Sequence, residues 1–131
     1  MQALRKILHV DDDVDIQFIA RMSLESVGGF EVAQASSGAD ALDLVTSFSP
    51  DLILLDVMMP CMDGEETLSR LREIPGQMDT PVVFVTAKAH SENVSRLLGQ
   101  GAIDVITKPF DPMTLPQVVQ RAWDQQSVAA A

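Results

Sequence analysis

Three aspartates in a row, Asp11, Asp12 and Asp13, follow the short apolar run Ile7 to Val10, and a fourth, Asp56, directly follows Leu52 to Leu55. If the two runs lie side by side, at least three of these carboxylates converge. At about 4 Å, two like charges repel by roughly 4 kcal/mol at an effective dielectric near 20, a large cost to leave uncompensated in a small domain. A hard divalent cation answers it, and a site of one or two carboxylates with waters and an incoming phosphate suits Mg2+ better than Ca2+. Taken alone, Asp11 and Asp12 read equally as a solvated acidic loop. Two further run ends add chemistry: Val82 to Val85 leads into Thr86, and Ile103 to Ile106, interrupted by Asp104, leads into Thr107, Lys108 and Pro109. A lysine balances phosphoryl oxygens as a point charge, and a threonine hydroxyl donates one hydrogen bond to them. Carboxylates, metal, hydroxyl and ammonium make a phosphoryl-transfer site with Asp56 as the candidate nucleophile. Singly, Thr86 reads as a strand terminus and Lys108 as a surface counter-ion; four coincident run ends read better as a site.

The four runs are short, apolar or β-branched and bounded by turn residues, as buried strands are. Phe30 to Ala35 alternates apolar and polar residues and reads as an edge strand. Between the runs the period becomes helical: Ile16, Ile19, Ala20, Leu24 and Val27; Ala41, Leu44, Val45 and Phe48; Thr67, Leu68, Leu71 and Ile74; Val94, Leu97 and Leu98; Leu115, Val118, Val119 and Ala122. Gly28-Gly29, Ser49-Pro50, Pro75-Gly76 and Gly99 to Gly101 punctuate the helix ends. Asp63 with Glu66 resembles a capping box, while Pro116 either belongs to the first turn of the fifth helix or delays it by a turn. Strict alternation implies an α/β domain, an open doubly wound five-stranded parallel sheet with five helices and right-handed crossovers. With the amphipathic strand at an edge, the order 2-1-3-4-5 fits better than one that buries it, and the ligand crevice should then open at the carboxyl ends of strands 1 and 3, where the acids are.

A chain of 131 residues suits one domain over 1–131, with a core from about 6 to 125 and a short tail over 126–131. Apolar residues at 47% and charged residues at 21% describe an ordinary globular protein. A net charge of −10 repels phosphate backbones and anionic headgroups, which argues against direct nucleic-acid binding. No apolar run approaches a membrane span, the N-terminus lacks a signal-peptide pattern, and the single cysteine, Cys61, has no disulfide partner, so the expected compartment is the cytoplasm.

The chain resembles the receiver domain of two-component response regulators, of CheY-like, flavodoxin-like fold. The resemblance is carried by HVDDD (9–13), LILLDVMMPCMDG (52–64), FVTAKA (84–89) and GAIDVITKPF (101–110), and it spans Lys6 to Gln125. It implies that Asp56 is the phosphoacceptor, receiving phosphate from a histidine kinase or a phosphotransfer protein. Asp12 would be the direct Mg2+ ligand, Asp11 the acid reaching the metal through water, and the Met58 backbone carbonyl a further ligand. Thr86 would be the switch hydroxyl, Lys108 the phosphoryl contact, and Pro109 the proline after a cis peptide. Asp13 is outside the matching set. One departure stands out: Val105 occupies the position, three before the lysine, where many receivers carry an aromatic ring or histidine that moves with the hydroxyl. Met58 and Lys88, two residues after Asp56 and Thr86, match positions that flank the phosphate and tune its hydrolysis.

Other residues carry blander readings. His9 reads as a locally satisfied core imidazole, His90 as solvent-facing, and Cys61, without a neighbouring His or Cys, as no catalytic thiol. Met58, Met59 and Met62 read as adaptable packing or a partner patch, and Trp123 as an anchor for the fifth helix or a docking residue. An aspartyl-phosphate hydrolase of haloacid-dehalogenase type would want an aspartate at Met58. The remaining rival is an interaction module that is never phosphorylated. The expectation is a stand-alone switch, monomeric or weakly dimeric, whose helix 4, strand 5 and helix 5 surface is read by a downstream protein.

Overall fold

The computed structural model describes residues 3–88 and 90–130, with side chains to residue 126. Met1, Gln2, Ala131 and Ala89, the last residue of the FVTAKA segment, lie outside the described residues. In chain order the elements are β1 (Lys6–Val10), α1 (Val14–Met22) with a following π-turn (Ser23–Val27), β2 (Glu31–Ala35) and α2 (Gly38–Phe48). They continue as β3 (Leu52–Asp56), α3 (Gly64–Leu71), β4 (Val82–Thr86), α4 (Ser91–Gly99), β5 (Asp104–Thr107) and α5 (Leu115–Ala130). All strand pairs are parallel, in the order β2-β1-β3-β4-β5. The helices pack on both faces. Leu8, Val10, Ile53, Leu55 and Phe84 join Val45, Leu68, Leu71 and Leu97 on one side. Ile7, Leu54, Val83, Val85 and Ile106 join Ala20, Leu24, Leu115, Val119 and Trp123 on the other.

Local chemistry sets the helix starts. Asp13, outside the matching set of site residues, caps α1: its side chain accepts from Asp15 N–H at 2.9 Å and Ile16 N–H at 3.3 Å. This satisfies donors that the first helical turn leaves open. Asp63 caps α3 by accepting from Glu66 N–H at 2.8 Å, while the Glu66 carboxylate turns instead to Arg70 at 3.0 Å, so only half of a capping box forms. A turn from Asp111 to Thr114 precedes α5, which starts at Leu115 with Pro116 in its first turn.

Three features differ from the sequence expectations. Val27, expected on the buried stripe, is 51% exposed. The Gly28 N–H donates to Ser23 O at 3.0 Å, and an i→i+5 turn carries more residues per turn than 3.6, so Val27 rotates off the core. Helix α1 has a second apolar stripe, Val14, Phe18 and Met22, which faces solvent, with Phe18 66% exposed. Finally, α5 runs on to Ala130, through most of the expected tail, as glutamine and alanine favour helix. Among the described residues no helix is long and apolar enough to cross a membrane.

Candidate functional site

Adjacent parallel strands bring their carboxyl ends together. β1 pairs β3 with Val10 opposite Leu55, so the next residues, Asp11 and Asp56, are neighbours at the rim. Asp11 and Asp56 are buried and Asp12 is exposed, and one carboxylate oxygen from each lies within 4.8 Å of the others. From the far side of the sheet Lys108 reaches back, its Nζ 2.9 Å from Asp11 Oδ2 and 3.2 Å from Asp56 Oδ2. Lys108 is held at its own backbone, where its N–H donates to Thr86 O at 2.8 Å, and the Lys108–Pro109 peptide is cis. Thr86 is buried at the end of β4, and its Oγ1 accepts from Lys88 N–H at 3.0 Å. Met58 follows in the loop after Asp56, its N–H 3.4 Å from Asp56 Oδ1 and its side chain turned to solvent.

The electrostatics follow from this crowding. Burial, then the Asp11 charge, push the Asp56 carboxyl above its ordinary range, against the pull of Lys108 and the Met58 N–H. For Lys108, burial pulls downward, but the hydrogen bond and charge of Asp11, then Asp56, outweigh it and raise the ammonium above its ordinary value. The site fits a hard cation. Asp11 Oδ2 is buried and faces the Lys108 ammonium, yet among the described residues no backbone N–H or hydroxyl donates to it. The three carboxylates supply the hard oxygen donors an octahedral ion takes at about 2.1 Å, and the exposed Asp12 leaves an open side for water.

One tier below Asp11, His9 is buried, and burial first, then Lys108, against the Asp11 charge, lower it to about 4. Its Nδ1 lies 3.1 Å from Gln34 Nε2. The Gln34 amide is oriented by Arg21 Nε, which donates to Oε1 at 3.1 Å, and by the Gln17 carbonyl, which accepts from Nε2 at 2.7 Å. Nδ1 therefore accepts and the proton resides on Nε2: a neutral imidazole held at Nδ1 by Gln34. Met59 and Trp123 pack in the core, Met62 is half-buried against Gly38, and Cys61 and His90 are exposed.

Two residues escaped the sequence reading. Gln17 donates to Asp11 O at 2.5 Å and to Ser36 Oγ at 3.1 Å, tying β1's end to α1 and β2; a glutamine between Ile16 and Ile19 on the inward stripe was the available signal. Gly64 donates to Val57 O at 2.9 Å, and a Cβ there would stand 2.3 Å from the Asp56 carbonyl oxygen and 2.9 Å from Val57 Cα. Backbone cannot yield as a flexible side chain can. Gly64→Ala should therefore cost about 1 kcal/mol by urea denaturation, as overpacking does, and displace the Asp56 backbone; a variant as stable as the parent would show that the loop gives way freely.

A family model described as a response regulator receiver domain matches residues 7–120. The protein named "Uncharacterized 14.6 kDa protein in sodA1 3'region" of Leptolyngbya boryana is 40% identical over 123 residues, covering 92% of this chain and 93% of that one. The regulatory protein AtoC of Escherichia coli is 38% identical over 128 residues, 98% of this chain but 27% of AtoC. The chain spans about half the length of several other curated relatives, such as the alkaline phosphatase synthesis transcriptional regulatory protein PhoP of Bacillus subtilis. Among solved structures, the chemotaxis response regulator CheY4 of Vibrio cholerae superposes with a TM-score of 0.84 at 32% identity, covering 92% of this chain and 99% of CheY4. With this sheet order, this acid cluster and a family match over most of its length, the chain belongs to the response regulator receiver domain family.

Proposed function

We propose that the chain is a phosphorylation-activated switch of a two-component system in which Asp56 accepts a phosphoryl group from a histidine kinase or a phosphotransfer protein. The observation that carries this reading is the placement of Asp56: it is 3% exposed, beside Asp11 and Asp12, with Lys108 Nζ 3.2 Å away. A carboxylate oxygen of Asp56 attacks the phosphorus of the donor's phosphohistidine. The O–P bond forms as the P–N bond breaks, and the imidazole nitrogen keeps the electron pair. Lys108 pairs with phosphoryl oxygens as the charge spreads over them. The Thr86 hydroxyl accepts from Lys88 N–H and keeps its own proton free to donate to a phosphoryl oxygen. Asp11, Asp12, Asp56 and the Met58 carbonyl would hold Mg2+, which when bound neutralises charge on the transferring group. The chain consumes its donor once per cycle, so it is a phosphoacceptor that assists its own phosphorylation and dephosphorylation.

The phosphoryl group adds charge and acceptors at one end of the sheet and biases the α4, β5 and α5 surface, which a downstream protein reads. Taking a population from 1:99 to 99:1 needs about 5.5 kcal/mol of preference, within reach of several charge-assisted contacts. The exposed Val14, Phe18 and Met22, beginning just after the acids, offer the phosphodonor an apolar landing surface. A cytoplasmic setting, no direct nucleic-acid contact and a monomer or weak dimer complete the reading.

The test is intact mass after incubation with acetyl phosphate, with and without Mg2+, for the parent and Asp56→Asn. A Mg2+-dependent gain of one phosphoryl group, absent from the variant, is expected. No gain under any condition would overturn the reading in favour of an interaction module.

A further inference from the structure

We propose that Glu65, Arg96 and Asn93 are positioning residues, a polar strap from α3 to α4 that holds the Lys88 backbone and, through it, the Thr86 hydroxyl. The proposal rests on the phosphoacceptor reading of Asp56. The strap can be followed bond by bond. Lys88 N–H donates to Thr86 Oγ1 at 3.0 Å, and Lys88 O accepts from Asn93 Nδ2. Asn93 Oδ1 accepts from Arg96 Nη2 at 2.5 Å, and Arg96 Nη1 pairs with Glu65 Oε1, which also accepts from Gln100 Nε2 at 2.7 Å. Glu65 follows Gly64, whose backbone is pressed against the Asp56 carbonyl. One end of the strap is therefore fixed beside the phosphoacceptor and the other at the hydroxyl.

This arrangement has consequences for Thr86. To serve a phosphoryl group on Asp56 the hydroxyl must turn, and its bond to Lys88 N–H must loosen. Lys88 cannot follow freely while Asn93 holds its carbonyl and Arg96 holds Asn93 against Glu65. Val105, half-buried against the core on β5, is stiff about its one side-chain torsion and has no ring to carry the movement outward. The strap supplies the missing connection, because Asn93 and Arg96 lie on α4 itself. Its links are partly exposed, with the Arg96 and Glu65 side chains 49% and 26% accessible. Their strength is that of surface pairs, suited to tuning a switch by about two- to fivefold and too weak to hold the fold.

Glu65→Gln, Arg96→Gln, Asn93→Ala and the double variant Glu65→Gln/Arg96→Gln test it in the full chain. Two quantities are read: amide hydrogen exchange at Lys88 in the unphosphorylated protein, and the rate of Mg2+-dependent phosphoryl uptake from acetyl phosphate by intact mass. Each single variant should speed both by about two- to fivefold, with the double variant no faster than the singles and melting temperatures within about 2 °C. Unchanged Lys88 exchange, exchange that rises without any change in uptake, or effects that multiply in the double variant would each overturn the strap. If the parent takes up no phosphoryl group, the phosphoacceptor reading fails by itself, and the exchange arm still decides whether the strap holds Lys88.

Discussion

Replacing Lys108 by methionine should destabilise the metal-free protein by about 3 kcal/mol at pH 8, because it breaks an ion pair while leaving its buried partners charged. The ammonium lies 2.9 Å from Asp11 and 3.2 Å from Asp56, whose side chains are almost wholly out of solvent. Methionine keeps the stem's volume, so packing changes little and the loss is electrostatic. Lys108 is also what pulls the Asp56 carboxyl down, against burial and Asp11, so its removal sends that carboxyl further up. A carboxyl raised in the folded state contributes a cost that is complete above its folded value and vanishes as protonation becomes common to folded and unfolded chains. The deficit should therefore shrink as pH falls from 8 towards 4. Because a divalent ion stabilises the state that binds it, Mg2+ should also restore more stability to the variant than it adds to the parent. Urea denaturation in chelator and in Mg2+, at both pH values, reads all three effects. A variant as stable as the parent at pH 8 in chelator would mean that the two carboxylates are hydrated and need no cation.

What the sequence made legible was whatever a local pattern determines. The alternation from Phe30 to Ala35 placed β2 at the edge, which together with the strict strand-helix alternation of a doubly wound sheet favoured the observed order and neighbouring ends for β1 and β3. Asp63 was readable as a cap because a capping pair lies three residues apart in sequence, here Asp63 and Glu66. The α1 helix was harder, since its apolar residues form two stripes, Ile16, Ile19 and Ala20 against Val14, Phe18 and Met22, and periodicity does not say which of two apolar faces finds the core. Val27 was lost to a change of helical pitch that nothing in the spacing announces. The character of His9 was legible, but its partner Gln34 depends on the β1 to β2 register, which pairs the two residues across 25 positions of sequence. Gly64 was quoted within a motif without a reason, because a close approach to the Asp56 carbonyl exists only once α3 has folded back over the loop.

Asp56→Asn should melt higher than the parent while taking up no phosphoryl group. The carboxylate that makes the site reactive is costly to fold: burial disfavours its charge, Asp11 repels it, and Lys108 and the Met58 N–H recover only part of the loss. Asparagine keeps the shape without the charge. Lys108 is not orphaned by the change, since Asp11 stands nearer to it, at 2.9 Å. The gain should appear as a melting temperature a few degrees above the parent's, measured in chelator by thermal denaturation. Its pH dependence follows from the direction of the shift. A raised folded-state pKa means that the native chain binds this proton more tightly than the unfolded chain does, so the cost of Asp56 is complete above the folded value and disappears below the ordinary value of 3.8. The difference between variant and parent should thus be largest at pH 8 and close as pH falls towards 4. Mg2+ should reverse the order, because it binds the parent's carboxylate and offsets the repulsion that asparagine merely removes. A variant that melts below the parent in chelator at pH 8 would mean that Lys108 more than compensates Asp56, and that the site is stabilised by the same charge that makes it a phosphoacceptor.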